Sequence, residues 1–156
     1  MKNEQHRAEA QMLIRKPVGE VFNAFIDPAV TVNFWFTKST GKLALHQQVT
    51  WEWEMYHVST PVTATAIVPD RLITVEWGDP ATTVDFKFQE LKDGSTYVVV
   101  TNYGFRETGD DLIAIIRDST GGFTTVLDGL KAYLEHGLRL NLIGDKFPKE
   151  VGAHGG

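Results

Sequence analysis

The sequence predicts an α+β domain in which a long C-terminal helix packs against a curved antiparallel sheet. One clean helical stripe of apolar residues lies within residues 123–138, and period-two alternation fills most of residues 49–105. The alternating segments are separated by short turns, which favours antiparallel neighbours. At 156 residues the chain has the size of a single domain with one core.

Two short helices are predicted near the N-terminus. Pro17 suits the first position of a helix, where its missing N–H is not needed. The apolar residues that follow recur at helical spacing: Val18, Val21, Phe22, Phe25 and Ile26. Asp27 and Pro28 end this helix and can open a second, because Asp caps a helix and Pro is tolerated in its first turn. The second helix leads into the aromatic residues at 34–36.

The middle of the chain predicts strands with one wet face. Trp51 and Trp53 alternate with polar residues, and Trp77 ends a later segment of the same kind. Asp93 and Gly94 supply the positive-φ residues of a tight hairpin, whose second strand covers about residues 96–105. The alternation predicts that the covered face of that strand carries Tyr97, Val99, Thr101, Tyr103 and Phe105.

The closing helix is predicted to begin at Ser119 or Thr120, either of which can cap it. Its apolar stripe consists of Phe123, Val126, Leu127, Leu130, Tyr133, Leu134 and Leu138. Residues 106–118 are interpreted as a partly helical crossover that acts as a lid. Residues 8–142 form the predicted domain, and residues 1–7 and 143–156 are expected to be flexible termini.

Composition argues against several kinds of site and partner. The chain contains no cysteine, so disulfides and thiolate chemistry are excluded, and a reducing, cytoplasmic location is expected. The net charge of -5, without a basic cluster, argues against a nucleic-acid partner. No apolar run approaches the roughly 18 residues of a membrane span, so no membrane association is expected.

Particular stretches resemble a known family. The run DSTGGFTTVLDGLKAYLEHG, Asp118 to Gly137, is similar to the closing helix of bacterial proteins related to the C-terminal domain of the activator of the heat-shock-protein-90 ATPase. These proteins belong to the START-like (SRPBCC) superfamily. The opening stretch from Pro17 to Phe36 and the segment from Pro69 to Trp77 also resemble the family. Phe123 departs from it, since family members often carry Trp after the glycine.

The resemblance implies a helix-grip fold like that of the birch-pollen allergen, with a cavity between the sheet and the final helix. The superfamily includes lipid carriers, receptors, cyclases and chaperone regulators. The fold therefore does not choose a function by itself.

Large aromatic residues on the predicted covered faces are the candidate ligand-binding residues. They are, with one helix leucine, Trp35, Trp51, Trp53, Trp77, Phe86, Phe88, Tyr103, Phe105, Phe123 and Leu127. Alternation alone favours a closed aromatic core, because most such stripes only pack. The resemblance and the richness in Trp favour a cavity, since indole N–H groups need partners.

Catalytic and metal-binding patterns receive little support. The five histidines show no metal-ligand spacing, and His57 is interpreted as a turn residue rather than an acid or base. Asp110, Asp111 and Asp118 are explained by helix capping and the helix dipole. Gly121 and Gly122 lack the remaining residues of a phosphate loop, so no cofactor is expected.

The leading hypothesis is a module that binds an apolar or aromatic small molecule between the sheet and the final helix. A second hypothesis is a protein-interaction domain that acts on a chaperone or its client, as the resemblance implies. The third is a cyclase- or hydrolase-like enzyme that uses the same cavity. No catalytic constellation supports the third, so a non-enzymatic role is favoured.

Overall fold

The computed structural model describes residues 6–151, which form one α+β unit. In chain order its elements are β1 (Ala8–Ile14), α1 (Val18–Ile26), α2 (Pro28–Thr31), β2 (Lys38–Ser39), β3 (Gln48–Trp53), β4 (Val58–Val68), β5 (Leu72–Gly78), β6 (Ala81–Glu90), β7 (Thr96–Tyr103), α3 (Gly109–His136) and α4 (Leu142–Lys146). Short 3-10 turns cover Glu54–Tyr56 and Lys149–Val151. The predicted fold class is confirmed: two short helices lie near the N-terminus, after β1, and the long helix α3 covers the antiparallel sheet.

The seven strands form one sheet in the order β1-β7-β6-β5-β4-β3-β2, and every neighbouring pair is antiparallel. Strand β1 was not predicted, and its helix-facing positions at its start are only Ala8 and Ala10. Small residues of this kind give a weak alternation signal. In the fold, β1 pairs along its whole length with β7, from Ala8 opposite Asn102 to Ile14 opposite Thr96.

Helix α3 is longer than predicted and contains most of the expected crossover. It starts at Gly109 after the cap position Thr108, so Ser119 and Thr120 are internal rather than capping residues. The Thr120 hydroxyl donates to the Ile116 carbonyl at 2.7 Å, and Ser119 donates to the sheet. None of the helices described here is both long and apolar enough to cross a membrane.

The predicted covered face of β7 is the wrong one for most of the strand. Val98 and Val100 are buried in the core, whereas Val99 and Tyr103 lie on the opposite face and are only half-buried. Sequence alternation was ambiguous here because both faces of β7 carry apolar residues. Phe105 returns to the helix side, since Gly104 with a φ of 89° interrupts the alternation after the strand ends.

The core lies between the sheet, α1 and the C-terminal half of α3. Phe123, Leu127 and Leu130 are buried there as predicted, with Phe25 and Phe86 against them from α1 and the sheet. The stripe ends earlier than the sequence suggests. Gly137, with a φ of 66°, terminates α3, and the residue after it, Leu138, is 52% exposed.

The chain beyond α3 folds back onto the body. Ile143 in α4 is buried, and the Tyr56 hydroxyl lies 3.2 Å from the Ile143 carbonyl and 2.7 Å from the Phe147 carbonyl. Of the predicted flexible terminus 143–156, Ile143 and Phe147 therefore contact the body, whereas residues 148–151 are exposed. The charged and glycine-rich composition concealed this contact. Residues 1–5 and 152–156 of the predicted termini lie outside the described residues.

Candidate functional site

A cavity of about 890 Å³ lies at one end of the sheet, beneath the N-terminal half of α3. The helix-facing positions of five strands meet there, because strand register brings them level with one another. Trp77 of β5 stands opposite Thr82 of β6, and Asn102 of β7 stands opposite Val84, two residues from Thr82 on the same face of β6. At the other end of the sheet the same faces are filled by Ile73, Phe86 and other core residues. The cavity is thus the unfilled end of a single helix–sheet interface.

Aromatic side chains form the apolar wall of this cavity. The ring centroid of Phe123 lies 5.7 Å from that of Trp35 and 5.6 Å from that of Trp77, and Trp35 and Trp77 are 5.9 Å apart. Trp53 and Phe105 complete the wall. Each of these rings apart from Phe105 packs against another aromatic ring, and Phe105 belongs to none of the ring pairs described among residues 6–151. The wall is therefore largely preformed.

The ten predicted residues separate into three groups. Trp35, Trp53, Trp77, Phe105 and Phe123 line the cavity. Trp51, Phe86, Phe88 and Leu127 lie on the predicted side of the sheet but are buried in the core. Tyr103 lies on the opposite face of β7 and belongs to neither group. For all of these residues except Tyr103 the sequence indicated the layer between helix and sheet, and their role in ligand binding stays a prediction.

Trp53 carries a donor with an unmade hydrogen bond. Its indole Nε1 is buried and finds no acceptor among residues 6–151. The Phe36 ring lies nearly perpendicular to the indole at 84°, with centroids 6.3 Å apart. An aromatic face compensates a lost hydrogen bond only weakly. The apolar wall therefore contains one unsatisfied polar group.

Three polar residues in the cavity were not predicted as site residues. Asn102 is 3% exposed, and its side chain joins Thr82 on β6 to Ser119 on α3. The Asn102 amide lies 3.1 Å from the Thr82 hydroxyl and 2.9 Å from the Ser119 hydroxyl. No sequence motif marks this group, because its members are 20 and 17 residues apart and lie on three different elements.

Two consecutive glycines of α3 also line the cavity. Gly121 and Gly122 lie in the middle of the helix, not at its start as predicted. A Cβ added at Gly122 would meet no atom within 4 Å, so the helix surface faces open space at this point. Gly129, two turns later on the same face, differs. There an added Cβ would lie 3.2 Å from both the Cβ and the carbonyl oxygen of Phe34.

Helix α4 lies against the mouth of the cavity. Ile143, Lys146 and Phe147 line the cavity from this side, and the Lys146 ammonium is 5.6 Å from the Phe147 ring centroid. The Tyr56 hydroxyl connects this segment to the 3-10 turn after β3. Burial, and secondarily the nearby Asp145 carboxylate, raise the pKa of Tyr56 above its ordinary value. Tyr56 therefore remains a neutral hydrogen-bond donor at neutral pH.

The family model described as Activator of Hsp90 ATPase homolog 1-like protein matches residues 15–135. The chain belongs to this family. The match covers α1, the strands from β2 to β7 and almost all of α3, so it includes most of the cavity wall but not α4. The expected resemblance is confirmed.

Solved structures share the fold. A Staphylococcus saprophyticus protein is 26% identical, with a TM-score of 0.74 over 86% of this chain and 95% of that one. The Aha1 dimer from Colwellia psychrerythraea is 14% identical, with a TM-score of 0.72 over 84% and 97%. DynU16, from the dynemicin biosynthetic locus, is 15% identical, with a TM-score of 0.74 over 86% of this chain and 49% of its own. No curated protein sequence matches the chain significantly.

The charged residues that line the cavity, Arg117, Asp118 and Lys146, are all exposed. His57 follows the 3-10 turn and is exposed, and Asp110 and Asp111 lie in the first turn of α3. Asp118 reaches the cavity rim, where it pairs with Arg117 at 3.7 Å, and the two side chains are 75% and 73% exposed. Within residues 6–151 no cluster of His, Asp and Glu has the arrangement of a metal site. The cavity interior offers apolar contact and neutral hydrogen bonds.

Proposed function

We propose that this domain binds an apolar or aromatic small molecule in the cavity between α3 and the sheet. The volume of about 890 Å³ lies within the roughly 300–1,000 Å³ typical of ligand sites, which are usually apolar with a few placed polar groups. The aromatic wall of Trp35, Trp77 and Phe123 and the buried amide of Asn102 match that description.

The glycine at position 122 is the observation that carries the proposal. Glycine inside a helix is less stable than alanine by about 0.5–1 kcal/mol, because its unfolded chain has more freedom to lose. At Gly129 close contact with Phe34 explains the glycine. Gly122 has no such neighbour, and a larger side chain would simply enter the cavity. A ligand site requires unfilled space beside the helix, even where a larger residue would make the fold more stable. A closed core has no such requirement.

Access to the cavity is proposed to involve α4 rather than the predicted crossover lid. Residues 106–118 mostly form the first turns of α3, whereas α4 contributes Ile143 and Phe147 to the cavity mouth. The contacts of α4 with the body include the Tyr56 hydroxyl, whose hydrogen can serve only one carbonyl fully. Opening α4 therefore breaks the Tyr56 hydrogen bond, whereas opening residues 106–118 would unwind the first turns of α3.

Two measurements test the proposal. Native mass spectrometry of the chain purified from its own source should reveal a small molecule that departs on gentle activation. Titration with small aromatic or fatty compounds should change Trp emission saturably, because Trp35, Trp53 and Trp77 line the cavity. If no compound of either class gives a saturable change and the purified chain carries no molecule, the ligand-binding proposal is wrong.

Interaction with a chaperone or its client is the second candidate. It is favoured by the description of the family and by the apolar side chains that follow α3, Leu138 and Leu140, which are 52% and 46% exposed. The chain should then bind purified Hsp90 and alter its ATPase rate. Replacing both leucines with Ser should abolish that effect without changing ligand binding in the cavity.

A further inference from the structure

The hydrogen-bond directions around Asn102 are determined by one backbone group. The Asn102 Nδ2 lies 2.9 Å from the Thr83 carbonyl oxygen, which can only accept. The nitrogen of the amide must therefore face Thr83, and the amide oxygen must face Ser119. Asn102 is 3% exposed, so the amide cannot turn without leaving buried groups unpaired.

This orientation also determines what the two flanking hydroxyls can do. An amide oxygen only accepts, so Ser119 must donate its single hydrogen to Asn102 at 2.9 Å. Ser119 then offers only lone pairs to the cavity. Thr82 lies 3.1 Å from the Asn102 nitrogen and must accept from it. The Thr82 hydrogen is used by no acceptor among residues 6–151, so Thr82 offers a donor.

The polar part of the cavity thus presents a donor at Thr82 and an acceptor at Ser119, on either side of one fixed amide. Both residues line the cavity, and Thr82 is the cross-strand neighbour of Trp77 in the aromatic wall. A hydroxyl group both accepts and donates, so it complements this pair. An ether or ketone complements only Thr82 and leaves Ser119 without a donor. A carboxylate likewise brings no donor, so it too leaves Ser119 unpaired on the cavity side.

We propose that Thr82, Asn102 and Ser119 select ligands that carry a hydroxyl group on an apolar or aromatic body. The inference rests on the proposed function and names the ligand class of the same cavity. Asn102 acts as a positioning residue, since it sets the direction of both hydroxyls. Thr82 and Ser119 make the contacts.

The test compares naphthol with its methyl ether, which has the same ring and the same acceptor oxygen but no donor. Calorimetric titration of the full chain at neutral pH should give an affinity about tenfold higher for naphthol, equivalent to about 1.4 kcal/mol and typical of one neutral hydrogen bond. The ratio of the two affinities is measured in each variant. A steric effect of the added methyl group is common to all of them, so a change in the ratio between proteins reports the hydrogen bond.

Ser119→Ala removes the acceptor and should bring the ratio of the two affinities close to one. Thr82→Val removes the donor, so it should lower the affinity for both compounds severalfold while preserving the ratio of the two affinities. Thr124→Ala is the matched control, because Thr124 is exposed on α3 and donates to the Thr120 carbonyl at 2.7 Å, away from the cavity. It should change neither affinity. Near-ultraviolet circular dichroism checks that each variant retains its packing.

Equal affinities for the two compounds in the unaltered protein would overturn the hydroxyl preference while leaving the cavity a ligand site. A preference for naphthol that survives in Ser119→Ala would show that another group accepts the hydrogen bond from the ligand hydroxyl. It would overturn the assignment of Ser119 as the acceptor. Failure of both compounds to bind would overturn the inference together with the proposal for aromatic ligands. If Ser119→Ala does not fold, the unaltered protein and Thr82→Val still decide the question.

Discussion

Replacing Gly122 with Leu should stabilise the fold and weaken ligand binding at the same time. The residue lies in the middle of α3 on the cavity side, and an added Cβ would have no atom within 4 Å. The new side chain would therefore occupy cavity space rather than displace a neighbour. Few helix positions on the sheet side allow a larger side chain without overpacking.

The expected gain in stability has two sources. Removing a glycine from a helix interior contributes about 0.5–1 kcal/mol. Each additional methylene shielded from water contributes up to about 0.8 kcal/mol, although the rim of the cavity shields only part of the side chain. Gly122→Leu should therefore raise the free energy of unfolding by about 1–3 kcal/mol. Gly122→Ala, which adds only Cβ, should gain no more than about 1 kcal/mol.

The assay measures urea unfolding and the saturable Trp response in the same samples. Gly122→Leu should raise the unfolding midpoint and lower the affinity for an aromatic ligand at least tenfold. Gly129→Ala is the matched control, because it lies two turns later on the same face but against Phe34. Its Cβ would lie 3.2 Å from backbone and side-chain atoms of Phe34, so this substitution should destabilise the fold despite the better helix propensity.

Two results would refute this reasoning. If Gly122→Leu destabilises the protein as Gly129→Ala does, the space beside position 122 is not open in solution. If Gly122→Leu is stable and ligand affinity is unchanged, the cavity beneath α3 is not where the ligand binds. Gly122→Ala should fall between the unaltered protein and the leucine variant in both measurements.

Three further predictions concern the core, α4 and the end of α3. Leu130→Ala should lower the free energy of unfolding by about 2–5 kcal/mol, because Leu130 is 0% exposed, whereas Leu138→Ala should change it by no more than about 0.5 kcal/mol in the same urea titration. Tyr56→Phe should speed amide hydrogen exchange in α4 but not in β7, since only α4 loses its hydrogen bond to the Tyr56 hydroxyl. If α4 exchanges at the same rate in the variant as in the unaltered protein, the contact is contradicted. Burial raises the pKa of Glu135, but hydrogen bonds from Lys131 and from a backbone N–H outweigh burial and leave that pKa lowered. The stabilisation that the Glu135 carboxylate contributes should therefore be present above pH about 4.5 and be lost as pH falls through the folded-state pKa. The difference in unfolding midpoint between the unaltered protein and Glu135→Gln should shrink over that range, and a difference that grows would show the opposite shift.

Local patterns predicted the elements whose signals are strong and periodic. The spacing from Val18 to Ile26 gave the bounds of α1, and the alternation around Trp51 and Trp77 placed those residues on the side of the sheet that α3 covers. Weak or ambiguous patterns failed. β1 begins with small residues at its covered positions, and β7 carries apolar residues on both faces, so Tyr103 was assigned to the wrong side.

The start of α3 shows why a capping residue does not settle a boundary. Ser119 and Thr120 have the chemistry of caps, yet both lie inside the helix because their hydroxyls bond elsewhere, to Asn102 and to the Ile116 carbonyl. A hydroxyl chooses its acceptor from whatever the fold brings near. The sequence does not contain that information for partners such as Ser119 and Asn102, which are 17 residues apart.

The amino-acid sequence by itself determined the α+β architecture and the aromatic layer between helix and sheet, because the periods of 2 and 3.6 residues decide which side chains share a face. Only the tertiary structure decided that Trp35, Trp77 and Phe123 face a cavity while Trp51 and Phe86 are enclosed by neighbours. The physical reason is that a void depends on the distance between elements. That distance is set by packing elsewhere, here by the close approach of α3 to Phe34 at Gly129 and by α4 at the cavity mouth, and no local pattern records it.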